Sequence, residues 1–441
     1  MTVQTSEQRR TATAVSRRGL VIGAGAAGLV LAAGARGQFA AAADKSLKVG
    51  FISPRTGALA GFGETDGFVL DMARKALAKG LAVNGQTYAV EIIDQDTQSD
   101  PSRASQLAKG LINDSKVDLM LAVSTPETIN PVADACEAAG VPCLSTVMPW
   151  EAWYFGRGAK PGQPSPFKWS YHFGFGVEEF HKTYVSQWGS IATNKKVGVL
   201  YPNDADGNAI RAVLAPLLAK DGYTIVDPGP YEDGTTDYSA QIAKFKEEQC
   251  EIFNSFPIPP DFAAFWRQAA QQGYTKMVKI AQIAKTGLFP SDVESLGDLG
   301  VNLASAAYWH KAFPYKSPLT GVSGTELADA YEAASGKQWT QQLGASMSLL
   351  DAGFEALKAS GDPASKDAVV KAISTLKTTT MIGKIDFTSG PVPNVSPGPI
   401  IGTQWVKAAA GSKFSLDYVV TEHATDPSVP VAGKLIAYNG G

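Results

Sequence analysis

The chain has 441 residues, 44% hydrophobic and 18% charged, enough apolar mass for more than one core. Thirty-nine Lys and Arg stand against 42 Asp and Glu, and residues 1–43 hold five of the basic side chains but only Glu7 of the acidic ones. The other 34 basic and 41 acidic residues form a mildly acidic body without a long basic run, which argues against nucleic acid as a partner.

The first segment reads as an address. Ser16-Arg17-Arg18-Gly19-Leu20-Val21 opens an uncharged Gly/Ala/Leu/Val run ending at Ala35, then Arg36, then Gln38-Phe39-Ala40-Ala41-Ala42-Ala43-Asp44. A basic start, an apolar centre and small residues at the end make a secretory signal, and the pair Arg17 and Arg18 resembles a twin-arginine (Tat) signal. Cleavage is expected near Ala43, which places the mature chain in the periplasm and makes the Tat translocase a partner during export. The uncharged run is at the short limit for a membrane anchor and rich in Gly and Ala. No Cys precedes Cys136, so a lipid-modified amino-terminal cysteine is not available. Gly23-Ala24-Gly25-Ala26-Ala27-Gly28 matches the dinucleotide fingerprint, but no strand precedes it and no βαβ unit surrounds it. No cofactor is expected.

From Leu47 the chain alternates short apolar runs with helical patterns. Strands are predicted at 47–53, 88–94, 117–123 and 141–145, with helices at 65–79, 101–113 and 131–139 between them. The Gly- and Pro-rich stretch between Trp150 and Lys168 breaks the pattern as a surface excursion. Alternation then restarts, with strands at 197–201, 223–226, 251–256 and 277–281 and helices at 208–220, 238–247 and 261–271. Helices follow at 326–334, 345–359 and 366–376, and β-like stretches at 402–406 and 414–419. The spacing predicts an α/β fold of two doubly wound parallel-sheet lobes, with a cleft between facing strand ends.

Several stretches resemble type I periplasmic solute-binding proteins of ABC importers, the group that includes leucine/isoleucine/valine-binding proteins. They are Lys48-Val-Gly-Phe-Ile-Ser-Pro-Arg-Thr-Gly-Ala-Leu-Ala-Gly-Phe-Gly63, Asn130-Pro-Val-Ala-Asp-Ala-Cys-Glu-Ala-Ala-Gly-Val-Pro-Cys-Leu-Ser145, Asp237-Tyr-Ser-Ala-Gln-Ile-Ala-Lys-Phe-Lys246 and Trp266-Arg-Gln-Ala-Ala-Gln-Gln-Gly273. The resemblance covers roughly Lys45 to the late 380s. It implies two lobes joined by a three-crossing hinge, closure on a small-molecule ligand and docking onto permease subunits, as a monomer. On that template, residues 1–43 are the signal, 44–172 plus 309–388 are lobe one, and 173–308 plus 389–441 are lobe two.

The resemblance also nominates ligand groups. A ligand carboxylate would meet hydroxyls and amides in the loops holding Ser124, Thr125 and Thr128 and holding Ser145, Met148 and Trp150. Turn backbone is the competing use of such hydroxyls. Phe62, in a Gly-Phe-Gly turn, aligns with an aromatic that lies over the ligand in relatives, and Trp150 has the same logic. In lobe two, relatives carry an acid after the strand predicted to end at Ala281, where this chain has Gln282, and a tyrosine where it has Phe256. A neutral amide cannot neutralise a buried ammonium. The expected ligand is therefore a carboxylate or amide without an α-ammonium, although a small shift of alignment would let Glu127 supply the charge.

Cys136 and Cys143 are seven residues apart across Gly140 and are expected to form a small disulfide in an oxidising compartment, with Cys250 left over. The four histidines have no metal-type spacing, and Asp204-Ala205-Asp206-Gly207-Asn208 lacks the first acid of a calcium loop, so it reads as a turn and helix cap. Neither a metal site nor a catalytic residue is expected. The alternatives are a sensor or receptor ligand-binding domain of the same fold and an exported oxidoreductase.

Overall fold

The computed structural model describes residues 45–438, so the expected signal with Arg17, Arg18 and the 1–43 boundary lies outside the described residues. The chain from Lys45 builds two seven-stranded sheets and a two-stranded hairpin.

Lobe one begins with β1 (Lys45–Ser53), α1 (Asp66–Ala76), β2 (Leu81–Val83), β3 (Gln86–Asp96), α2 (Pro101–Gly110), β4 (Leu119–Val123), α3 (Pro126–Ala139), β5 (Cys143–Thr146), α4 (Trp150–Tyr154) and β6 (Ser170–Gly174). Local chemistry sets these bounds. Asp100 caps α2 by accepting from Arg103 N at 2.6 Å ahead of Pro101, and α3 starts at Pro126 and stops where Gly140 turns left-handed at φ 67°. Strand β4 is buried at every position, as expected for a central parallel strand covered on both faces.

Lobe two follows with α5 (Val177–Trp188), β7 (Lys196–Leu200), α6 (Ala205–Lys220), β8 (Thr224–Val226), α7 (Ser239–Glu247), β9 (Ile252–Ser255), α8 (Pro259–Gln271), β10 (Ile280–Ile283), α9 (Pro290–Glu294) and β11 (Ala304–Ala307). The chain returns to lobe one for α10 (Gly324–Ser335), α11 (Gln341–Ala359), α12 (Lys366–Ser374), the hairpin β12 (Lys377–Thr380) with β13 (Gly383–Asp386), and β14 (Val395–Pro397). It ends in lobe two with β15 (Ile401–Lys407) and β16 (Leu416–Glu422). Strand order is β14-β6-β5-β4-β1-β3-β2 in one sheet and β16-β15-β11-β10-β9-β7-β8 in the other. Only β2 in the first sheet and β15 and β16 in the second pair antiparallel.

The chain therefore crosses between lobes three times, after β6, after β11 and after β14. The last crossing departs from the expected break at 388/389. Strand β14 pairs in parallel with β6, Val395 opposite His172, so lobe one keeps the chain through Pro397. Sequence alternation also misses β2, β6, α4, α9, β11 and the hairpin, which are short or polar, and α5, although α5 carries an apolar face at helical spacing in Val177, Phe180, Tyr184 and Trp188. The expected disulfide is likewise absent. Cys136, Cys143 and Cys250 are buried free thiols. Burial, and then a hydrogen bond between the Cys136 and Cys143 thiols, holds the Cys136 thiol well above its usual range.

Helix α11 is the buried spine of lobe one, and its two glycines set how closely it packs. A Cβ on Gly344 would lie 2.2 Å from the indole ring of the fully buried Trp309, at the second crossing. Gly344→Ala should cost about 1–3 kcal/mol, the usual penalty of overpacking a closed core. Urea unfolding reads this directly, and an unchanged midpoint would show that Trp309 has room to move.

Candidate functional site

Every right-handed β-to-α connection leaves its loop at the carboxyl edge of the sheet, and here both edges face one cleft. A small, partly open cavity of about 40 Å³ lies in this interface. Lobe one contributes Phe62, Thr125, Val147 and Pro149, from the loops after β1, β4 and β5. Lobe two contributes Asp206 after β7, Phe256 after β9, and Ala284, Lys285 and Leu288 after β10. Each crossing adds one residue to the floor: Phe175, Tyr308 and Ile400. The Phe175 and Tyr308 rings stack at 5.5 Å, and Phe180 packs edge-on against Phe175 at 5.1 Å. The hinge and the cavity floor are thus the same side chains.

Outside this cavity the cleft widens to about 740 Å³ between the glycine-rich loop Gly57–Gly67 and the segments holding Pro259, Phe289 and Asp292. Phe62 of lobe one and Phe289 of lobe two stand between the two spaces, edge to face at 5.0 Å. Gly61 permits that approach, because a Cβ there would lie 3.0 Å from the Phe289 ring. A larger side chain at 61 has lobe two as its neighbour only when the lobes are closed. Gly61→Val should therefore weaken ligand binding about 5- to 150-fold, equivalent to 1–3 kcal/mol of overpacking, with little change in unfolding temperature without ligand. Calorimetric titration beside a thermal melt separates the two effects, and unaltered affinity would remove Phe289 from the closing surface.

The polar groups of the cavity are few and incompletely paired. The hydroxyls of Ser124 and Thr125 are buried without a partner. Ser124 (φ 149°) and Val147 (φ 81°) hold backbone conformations that L-residues rarely adopt, and a β-branched residue at positive φ marks strain concentrated at a site. In lobe two, Lys285 Nζ lies 3.1 Å from Asp204 Oδ2 and 3.1 Å from Asp206 Oδ2. Asp204 also caps α6, accepting from Gly207 N at 2.6 Å. Asp206 Oδ1 and Glu127 Oε1 have no partner. Burial pushes Asp206 up to about 7 against the pull of Lys285, with Glu127 and Asp204 adding to the rise. Burial lowers Lys285 less than Asp206, Asp204 and Glu127 raise it, so its ammonium stays charged.

Of the residues nominated from sequence, the structure brings Phe62, Thr125 and Phe256 onto the cavity wall. Ser124 is adjacent in the same loop. The others turn elsewhere. Thr128 bonds back to Thr125 O within the first turn of α3. Ser145 Oγ hydrogen-bonds His172 Nδ1 at 3.0 Å, and His172 Nε2–H donates to Met148 O at 3.0 Å. Burial, with some help from Arg157, lowers His172 to about 3, so the ring is neutral and the Ser145–His172–Met148 group is internal support. Trp150 packs on Tyr154 and Phe155 beside the first crossing.

Gln282 is a correction with a clear cause. Strand β10 runs to Ile283, so Gln282 sits inside the sheet, where its Oε1 accepts from Trp188 Nε1 at 3.0 Å. The residues past the strand end are Ala284 and Lys285. The acid expected there and found missing stands instead at Asp206. Its sequence, Asp-Ala-Asp-Gly-Asn after a strand, reads as a helix cap, and nothing in that pattern announces a second carboxylate aimed at a cleft. Phe175, Tyr308 and Ile400 lie in crossings without periodic signal, whereas Phe180 sits on the apolar face of α5 with Val177, Tyr184 and Trp188, a signal the sequence does offer.

Glu151 of α4 ties lobe one to the first crossing, its Oε1 accepting from Val177 N at 2.9 Å while Oε2 is buried and unpaired. Burial raises its carboxyl from 4.5 to about 8. The folded state thus holds this proton more tightly than the unfolded chain, so its contribution to stability falls as pH rises from about 4.5 to about 8. Glu151→Gln should flatten that slope and raise the melting temperature relative to the parent at pH 8 more than at pH 4. Parallel pH profiles for the two proteins would refute the assignment.

Comparison with known proteins agrees with this architecture. The periplasmic binding protein family model matches residues 46–396, and the chain belongs to that family. Its fold is that of type I periplasmic binding proteins. The leucine-binding protein LivK of Thermotoga maritima superposes with a TM-score of 0.66 at 19% identity, over 84% of this chain and 97% of that one. An ABC transporter substrate-binding protein from Sphaerobacter thermophilus gives 0.70 at 18%, over 87% and 99%. A solute-binding protein of an ABC transporter from Rhodopseudomonas palustris, solved with 3,4-dihydroxybenzoic acid, gives 0.67 at 21%, over 87% and 99%. An uncharacterized protein of Methanocaldococcus jannaschii is 23% identical over 199 residues, 44% of this chain, and the match spans 46% of that protein's length.

Proposed function

We propose that the protein is the extracytoplasmic solute-binding component of an ABC importer, closing on a small organic solute and handing it unchanged to permease subunits. The observation that carries this reading is the interlobe cleft, whose narrow inner end has an apolar wall from both lobes and all three crossings while Thr125 Oγ1 and Asp206 Oδ1 remain buried and unpaired. A solute in the cleft would give these atoms the partners they lack. Because the hinge residues form the floor, a solute that fills the cavity contacts the joint itself and favours the closed state.

The solute we infer has an aromatic or short aliphatic body and a carboxylate or amide head without an α-ammonium. Rings at Phe62, Phe175, Phe180, Phe256 and Tyr308 suit such a body, and the Ser124–Thr125 loop offers hydroxyls to the head. The solved relative that holds 3,4-dihydroxybenzoic acid, and others that hold 4-hydroxybenzoate or benzoate, support an aromatic acid, whereas a relative holding isoleucine represents the amino-acid alternative. Export through the Tat system, cleavage near Ala43, a periplasmic location and a monomeric shuttle complete the reading. A thermal-shift screen tests it. A fitting aromatic or short-chain acid or amide at a hundredfold excess over Kd should add about 2.7 kcal/mol of stability, while leucine and valine add none. Stabilisation by the two amino acids alone would reverse the ligand assignment, and conversion of any compound would end the non-catalytic reading.

A further inference from the structure

Lys285 stands against acidic groups at the wall of the cleft. It follows β10 at the cleft edge, its side chain is 7% exposed, and its Nζ is shared at 3.1 Å between Asp204 and Asp206 at the start of α6. Asp206 reaches the cavity with one oxygen on Lys285 and the other unpaired. Glu127, on the first turn of α3 in lobe one, turns an unpaired oxygen inward, and its charge acts on both Lys285 and Asp206. Two carboxylates of lobe two thus hold one ammonium at 3.1 Å, the charge of Glu127 from lobe one bears on the pair, and that ammonium belongs to the protein.

We propose that Lys285 determines specificity by acting as a tethered ammonium that fills the cation subsite of the cleft, so that the solute carries no cationic group and offers Asp206 an uncharged N–H or O–H donor. This rests on the cleft being the solute site. Two physical effects carry it. A tethered group competes at an effective concentration that a free solute cannot match. A solute ammonium accepted by Asp206 Oδ1 would also stand one carboxylate's width from Lys285 Nζ, where like charges repel in a poorly solvated space. A neutral donor meets the same acceptor without that repulsion. With Lys285 removed, the same carboxylates become a cation trap.

Matched pairs test the idea on the unaltered protein: leucine against 4-methylpentanoate, and phenylalanine against 3-phenylpropanoate, by calorimetric titration. The member lacking the ammonium should bind at least tenfold tighter in each pair that binds, and tighter binding of either amino acid overturns the proposal. The second arm titrates n-propylammonium and n-propanol into Lys285→Ala. The ammonium should gain at least a hundredfold over the parent and the alcohol nothing. If no gain appears while the desamino acids still bind the parent, the role of Lys285 falls and the solute site stands. If neither protein binds any compound of the set, the solute reading falls with it. Lys285→Gln, which keeps a donor beside both aspartates, serves in the same way should the alanine variant not fold, and the matched pairs require no variant.

Discussion

A parallel strand followed by a helix must release its connecting loop at the carboxyl edge of the sheet, because the right-handed crossover packs the helix back along the strand it has left. The consequence runs through the whole molecule. Six loops, three from each lobe, leave their strands at edges that face each other, and most cavity residues are within a few positions of a strand end. The same edges expose helix amino-termini and unpaired amides, so polar recognition is concentrated where the apolar walls meet. The three crossings sit at the base of that cleft, which is why Phe175, Tyr308 and Ile400 are both joint and floor.

Charge is distributed against that apolar background in a way that creates tension. Buried carboxylates normally recruit a cation or accept a proton. Asp206 does some of each, held near Lys285 and pushed towards neutrality by burial first, with Glu127 and Asp204 adding to it. Burying such a group is weak evidence for stability and better evidence for selectivity, since an ion pair in a cavity wall limits which charges can follow it. Val147, held at positive φ beside this cluster, belongs to the same pattern of local cost accepted where recognition takes place.

The lobes themselves are well legible in the chain. Runs such as Leu47–Ser53 and Val117–Val123 are apolar on both faces, and helices such as 366–376 repeat at 3.6, so the alternation implies a parallel sheet covered on both sides. Phe62, Thr125 and Phe256 are nominated by the family resemblance rather than by periodicity. Most of the missing parts are short or aperiodic. Strand β14 contains a proline and pairs with β6 across more than two hundred residues, and no local pattern reports a partner that distant.

Alone, the amino-acid pattern determined that the protein is an α/β chain with two sheets and an apolar, aromatic cleft, because burial on both faces of a strand and periodicity along a helix are local properties. Tertiary structure decided which polar atoms reach that cleft. Strand β10 ends two residues later than its apolar run suggests, so Gln282 turns to Trp188 inside the lobe and Lys285 turns to the aspartates. Side chains alternate along a strand, and what lies beyond its last residue depends on where pairing with neighbouring strands stops. That stop is set by contacts with β9 and β11, far away in the chain, and no reading of residues 277–285 by themselves could supply it.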